Sequence, residues 1–187
     1  MSGRPLPPRP GPAAAPARLA QMLRVDHAGE VAACEILRGQ RAVLRARRGA
    51  GATLARLSDM EAKEEDHLAR LDALLLERRV RPSLLAPLWR TAGFWLGAAT
   101  ALAGERAAHA CTEAVESVIE GHYGAQAAEI EPAEPALAAE LTELRADELA
   151  HRDAAIAEGA RQAPAYPLLS WVIRTGCRAA IRIAEKV

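Results

Sequence analysis

Aromatic side chains are nearly missing from these 187 residues: one Phe, two Tyr and three Trp. Strands are built largely from aromatic and β-branched residues, and a chain dominated by Ala, Leu, Arg and Glu favours helix instead. An excess of either charge is also missing, with 24 basic and 24 acidic residues. No broad basic field exists to attract nucleic acid, so a nucleic-acid partner is not expected. Cysteine is limited to Cys34, Cys111 and Cys177, an odd and widely spaced set. That excludes a disulfide framework and a paired-cysteine zinc site, and fits a reducing compartment. The longest run without a charge is Thr91–Gly104, 14 residues. A bilayer crossing takes about 20 apolar residues, so this run is too short. The N-terminus has no apolar segment of the signal-peptide kind.

What is present suits one domain with a sizeable core, since half of the residues are apolar. Residues 1–17 hold six of the 12 prolines and no acid, which predicts a disordered tail. The prolines also forbid the amphipathic helix of an organelle-targeting peptide. From residue 18 to 187 the pattern is helical throughout and predicts an all-α domain. Leu19, Leu23, Glu30, Cys34 and Leu37 recur every three to four positions until Gly49-Ala50-Gly51. A second helix is expected over 52–79, with Leu57, Leu71 and Leu75 on one face. Pro87 opens a short apolar helix that ends near Gly104. Long helices are expected near 105–129 and 136–161, and a last one over 168–186.

Two of these helices carry the same short motif. Glu64-Glu65-Asp66-His67 and Glu148-Leu149-Ala150-His151 are both ExxH. Residues three apart share one side of a helix, so each pair can aim a carboxylate and an imidazole at one point. Position matters more than the motif. Glu64 lies seven residues from both Leu57 and Leu71, inside the apolar stripe, and Glu148 lies seven beyond Leu141. Ionisable groups on a core face are costly unless paired or bound to metal. The other long helices each place one acid in the same way. Glu30 sits seven from Leu23 and Leu37, and Glu116 lies among Cys111, Val115, Ile119 and Tyr123. Glu30 precedes Glu64 by 34 residues, and Glu116 precedes Glu148 by 32. The chain therefore repeats a helix with Glu, a turn, and a helix with ExxH. Two such hairpins predict a ferritin-like four-helix bundle around a di-metal carboxylate site, with two additional shorter helices. One of these is the crossover and the other is C-terminal. Glu61, Glu65 and Glu113 are expected on solvated faces.

Arg24-Val25-Asp26-His27-Ala28-Gly29-Glu30, joined to the two ExxH motifs, resembles the demethoxyubiquinone hydroxylase family. These are di-iron monooxygenases of ubiquinone biosynthesis. The likeness runs through Ala110-Cys111-Thr112, His122-Tyr123, Asp147-Glu148, Pro164-Ala165-Tyr166 and Gly176-Cys177-Arg178, over about 18–187. It implies a centre of two Fe ions on Glu30, Glu64, His67, Glu116, Glu148 and His151, the six residues that spacing selects. It also implies ring hydroxylation of a demethoxyubiquinol by O₂, with electrons derived from NADH. Where eukaryotic members carry a second Glu and a second His, this chain has Ser117 and Gly121. Asp147 is the stronger candidate to orient a ligating imidazole, and Asp26 the weaker. Tyr123, seven residues beyond Glu116, is a candidate to position substrate or relay a proton. His122 is a candidate catalytic neighbour.

A polyprenyl quinone stays in the bilayer, so the resemblance implies a membrane-surface enzyme. The expected location is the cytoplasmic face of a bacterial inner membrane, or the matrix side of the mitochondrial one. Other ubiquinone-biosynthesis proteins are possible partners. The uncharged stretch with Phe94, Trp95, Leu96 and Leu102 suits an interfacial helix, and equally a buried one. On the last helix Arg174, Arg178 and Arg182 form a basic stripe, with Trp171, Ile173 and Ile181 opposite. The alternative functional reading is another ferritin-like protein that stores iron or removes peroxide.

Overall fold

Prolines and glycines stop each apolar period, and helices fill the intervals between them. The computed structural model describes residues 16–186; most of the expected N-terminal tail, and residue 187, lie outside them. The helices are α1 (Pro16–Leu44), α2 (Gly51–Glu77), α3 (Ala86–Ala103), α4 (Glu105–Ile130), α5 (Pro135–Ala157) and α6 (Tyr166–Ala184). A 3-10 turn at Ala160–Gln162 precedes α6, and no strand occurs among the described residues. The expected boundaries hold to within a few residues, apart from the C-terminal turn.

The core divides into two ends. At one, Leu19 and Leu23 of α1 meet Leu71 and Leu75 of α2, Tyr123 and Ile130 of α4, and Leu137 and Leu141 of α5. At the other, Leu37 and Leu44 meet Leu57, Met60, Ala101 and Ala108. These contacts make α1–α2 and α4–α5 antiparallel hairpins, as the ferritin-like bundle requires. The carboxylates stand at the level between the two ends.

Helix α3 returns the chain from the end of α2 to the start of α4, running parallel to α1. The two backbones nearly touch. A Cβ on Gly93 would lie 2.7 Å from the Ala32 carbonyl oxygen, and one on Gly97 or Gly39 would overlap the carbonyl of Ile36 or Phe94. Only glycine allows that approach. Helix α6 repeats the arrangement on the second hairpin, running parallel to α4. Ile173 packs with Cys111 and Val115, and Arg174 bonds Glu113 at 2.6 Å. The fold is thus a doubled unit of hairpin plus outer helix, with α3 and α6 forming one outer layer.

That layer corrects several expectations. Trp95 and Leu102 face outward, but Leu96 turns in against the Ile36 and Val115 cluster. Trp89 is buried, its indole N–H directed at the Ser83 hydroxyl. In α6, Trp171 is exposed whereas Ile173 is buried, so they do not share a face. The basic stripe is interrupted, because Arg174 is drawn to Glu113. Glu113 and Glu61 are themselves buried, not solvated. Glu61 is clamped by Arg38 and Arg41 of α1. Their cationic partners come from neighbouring helices, which a single-helix period does not reveal. Glu65 is exposed, as expected.

Candidate metal centre

Each helix of the four-helix core contributes to one buried cluster. Glu30 comes from α1, Glu64 and His67 from α2, Glu116 from α4, and Glu148 and His151 from α5. They form two overlapping groups, Glu30, Glu64, His67 and Glu148, and Glu64, Glu116, Glu148 and His151. Within a group every residue offers a ligand atom within 4.8 Å of the others. Glu64 and Glu148 belong to both. All six residues selected from spacing are brought together.

The two ExxH motifs are crossed. His67 Nδ1 lies 3.0 Å from Glu148 Oε1, and His151 Nδ1 lies 2.8 Å from Glu64 Oε1. Each imidazole is therefore nearer the other motif's carboxylate than its own, at 3.7 and 3.5 Å. This exchange is what an approximate two-fold between hairpins produces.

The electrostatics of the cluster are compatible with a bound cation. Burial, then Glu64 and Glu148, raise the Glu30 carboxyl well above its usual range. Burial, then Glu148 and Glu64, do the same to Glu116. Burial opposes ionisation of Glu64 as well, but the close imidazoles of His151 and His67 outweigh it and hold that carboxyl well below the usual range. Burial disfavours charge on the imidazoles, yet Glu148 and Glu64 raise His67 to about 10 and His151 to about 9. Both oxygens of Glu64 and Glu148, one each of Glu30 and Glu116, and both Nδ1 atoms lack a hydrogen bond of acceptable geometry. Buried polar atoms are rarely left this way. Carboxylate oxygens with one imidazole per group suit a divalent transition metal, which would displace the protons held there.

The surrounding residues sort the remaining candidates. His67 Nε2 lies 3.1 Å from Asp147 Oδ2, the outer-nitrogen contact expected of Asp147. The matching position before Glu64 is Lys63, so the two halves differ here. Asp26 touches neither His67 nor His151; it lies 3.6 Å from His122 Nε2. Tyr123 is fully buried, and its hydroxyl donates to Glu30 Oε1. His122 lies outside the cluster, 2.9 Å from Gln126 Nε2.

An apolar cleft of about 90 Å³ is lined by residues next in sequence to Glu30 and Glu116. Ala28, Ala32 and Ile36 of α1, Val115 and Ile119 of α4, and Cys177 and Ile181 of α6 line it, with Trp89 at one side. Val115 directly precedes Glu116, and the Cys177 thiol is near enough to perturb that carboxyl. The sequence pointed to none of these residues as a binding wall. The available sign was the small-residue run around Glu30, whose alanines leave the room.

The chain matches the family described as ubiquinone biosynthesis protein COQ7 over residues 17–184. It belongs to that family. It is 50% identical over 182 residues to a 3-demethoxyubiquinol 3-hydroxylase of Rhodospirillum rubrum, covering 97% of this chain and 83% of that protein. It is 42% identical over 171 residues to the mitochondrial NADPH-dependent 3-demethoxyubiquinone 3-hydroxylase of Homo sapiens, covering 89% and 77%. The mitochondrial 5-demethoxyubiquinone hydroxylase of Saccharomyces cerevisiae is 40% identical over 184 residues, covering 90% and 78%.

Proposed function

We propose that this COQ7-family chain hydroxylates the ring of a demethoxyubiquinol with O₂ at a di-iron centre. The observation that carries the reading is the pair of overlapping ligand groups beside an apolar cleft. Glu30 and His67 would hold one iron, Glu116 and His151 the other, with Glu64 and Glu148 shared by both. Iron bound there would supply the multi-electron chemistry needed with O₂, which side chains alone do not provide. The family resemblance implied NADH as the electron source; the human relative's name specifies NADPH. We therefore take a reduced nicotinamide nucleotide as the reductant.

The protein's own residues set the conditions for that chemistry. Asp147 orients His67 so that its Nδ1 faces inward. Tyr123 restrains Glu30 by donating to one carboxylate oxygen, leaving the other free for a cation. The cleft walls receive the quinol ring and the first part of its tail, and exclude water from the reacting face. A storage or peroxide-removing protein has no use for such a cleft, which weighs against that alternative.

The same reading places the enzyme on a membrane surface. No helix among the described residues is long and apolar enough to cross one. Leu88, Trp95 and Leu102 of α3 and Leu168, Trp171 and Val172 of α6 are all more than half exposed. They occupy the outer layer, one of whose helices also walls the cleft. An apolar face with tryptophans suits the headgroup boundary, so substrate enters without crossing water. The inner membrane is the proposed location, on its bacterial cytoplasmic face or, in a eukaryote, the matrix side.

The test uses iron-loaded protein, vesicles containing demethoxyubiquinol, O₂ and a reductant. Hydroxylated quinol is expected, with the protein floating on the vesicles. The double variant Trp95→Glu, Trp171→Glu should keep its iron and its turnover of a water-soluble short-tailed quinol. It should lose flotation and turnover of the long-tailed one. A loaded wild type that forms no product would overturn the activity. A double variant that floats equally well would overturn the membrane face.

A further inference from the structure

Asp26 is a buried acid that the centre does not use. Its side chain has no solvent exposure, and neither carboxylate oxygen has a hydrogen bond of acceptable geometry. Gln126 is near enough to favour its charge, without closing a bond. Burying a carboxyl so poorly partnered is costly, and proteins that keep one usually employ it. Its place in the fold is specific. It stands one helical turn before Glu30 on α1, and Tyr123, the neighbour of His122 on α4, donates to Glu30. On its other side is His122 Nε2 at 3.6 Å, on a side chain that is 22% exposed. His122, Asp26 and the Glu30–Tyr123 contact therefore form a row from solvent to the edge of the cluster.

We propose that His122 and Asp26 are the proton inlet of the hydroxylation centre, an inference that rests on the function proposed above. Hydroxylation converts a ring C–H and O₂ to C–OH and water. The second oxygen atom leaves as water only with two electrons and two protons. A reduced nicotinamide nucleotide gives up both electrons and one proton, and solvent supplies the other. The centre is buried, and its cleft is walled by apolar side chains, so those protons need a polar way in. His122 takes them from water and Asp26 carries them past the first turn of buried backbone to the Glu30 edge.

The surroundings favour both roles. Burial pushes the Asp26 carboxyl up to about 8, against the smaller opposing effects of Gln126 and Arg18, so it holds a proton near neutrality. Burial lowers the His122 imidazole; Glu185, just past the end of α6, raises it and Arg18 lowers it further, leaving it neutral and able to accept. On the α2 side Asp72 lies 3.0 Å from His27, one residue along from Asp26. Arg18 is itself held by Glu129 and Glu185 and is not free to neutralise Asp26.

The experiment compares the iron-loaded wild type with Asp26→Asn. The variant should keep its iron and its KM for quinol. Its kcat should fall about tenfold or more, as for loss of a proton-transfer group, and its solvent deuterium isotope effect should rise. Stability separates this from a packing role. An acid whose folded pKa is raised favours the fold below its ordinary value and loses that contribution as pH climbs to the raised one. Asp26→Asn should therefore melt several degrees above the wild type at pH 8, the gap shrinking toward pH 5. An unchanged kcat and isotope effect would refute the inlet, as would a loss of activity that only tracks lost iron or lower stability. The second variant, His122→Ala, should regain turnover when imidazole is added. No recovery with iron retained would also refute it. A wild type that hydroxylates nothing would instead overturn the underlying function.

Discussion

Replacing Glu148 with Ala should empty the centre of both metals, not one. Glu148 belongs to both ligand groups, and its two oxygens lie 3.0 Å from His67 and 3.5 Å from His151. Removing it leaves each group three protein ligands and an unbalanced set of buried acids. Iron per chain should fall from two toward zero, and hydroxylation below detection. The metal-free fold should survive, because the change also removes one of four carboxyls crowded together out of water. Glu65→Ala is the control, one residue from Glu64 but exposed and paired only with Arg38 at the surface. It should change stability by less than about 1 kcal/mol and leave iron unchanged. Metal analysis and a melting curve of both variants check the prediction. Full iron in Glu148→Ala would mean that the cluster is not the site.

Gly97→Ala should destabilise the chain more than most single substitutions, although it adds only one methyl group. That methyl has no room, because its position overlaps the Ile36 carbonyl on α1. Backbone cannot step aside as a side chain can, so α3 must lift off α1 along its length. Overpacking of this kind costs about 3 kcal/mol or more, which lowers the Tm of a chain this size by roughly 10 °C. Gly121→Ala makes the contrast. A Cβ there meets nothing within 4 Å, and the position is exposed on α4. It should gain up to about 1 kcal/mol from helix propensity. Equal melting temperatures for the two variants would show that the α1–α3 seam is looser than the structure has it.

Charges inside an apolar period are the signal that made the centre readable from the sequence. Glu30, Glu64, Glu116 and Glu148 each occupy a position where a leucine would pack, and all four converge. The helices follow for a related reason, since Gly49, Gly104 and the prolines interrupt each run where the chain turns. What one helix cannot disclose is which neighbour covers each of its faces. Glu61 and Glu113 looked solvated because Arg38, Arg41 and Arg174 lie on other helices. Leu96 looked membrane-facing because nothing in α3 alone says that its glycine side lies against α1. Once Gly93 and Gly97 are fixed there, Leu96 turns inward and Trp95 outward. Asp26 was weighed as a partner for a ligating imidazole. The bundle offers it His122 instead, on an antiparallel helix nearly a hundred residues away.

The proposed activity is demethoxyubiquinol hydroxylation at metals held by the six clustered residues. Its most direct test is the quinone pool of cells that lack their own such enzyme, accumulate demethoxyubiquinone, and carry this chain as the only replacement. Extraction and mass analysis should show ubiquinone restored and demethoxyubiquinone consumed with the wild-type chain, and neither change with Glu148→Ala. Unaltered demethoxyubiquinone in cells containing folded, iron-loaded wild-type protein would show that the chain does not hydroxylate it.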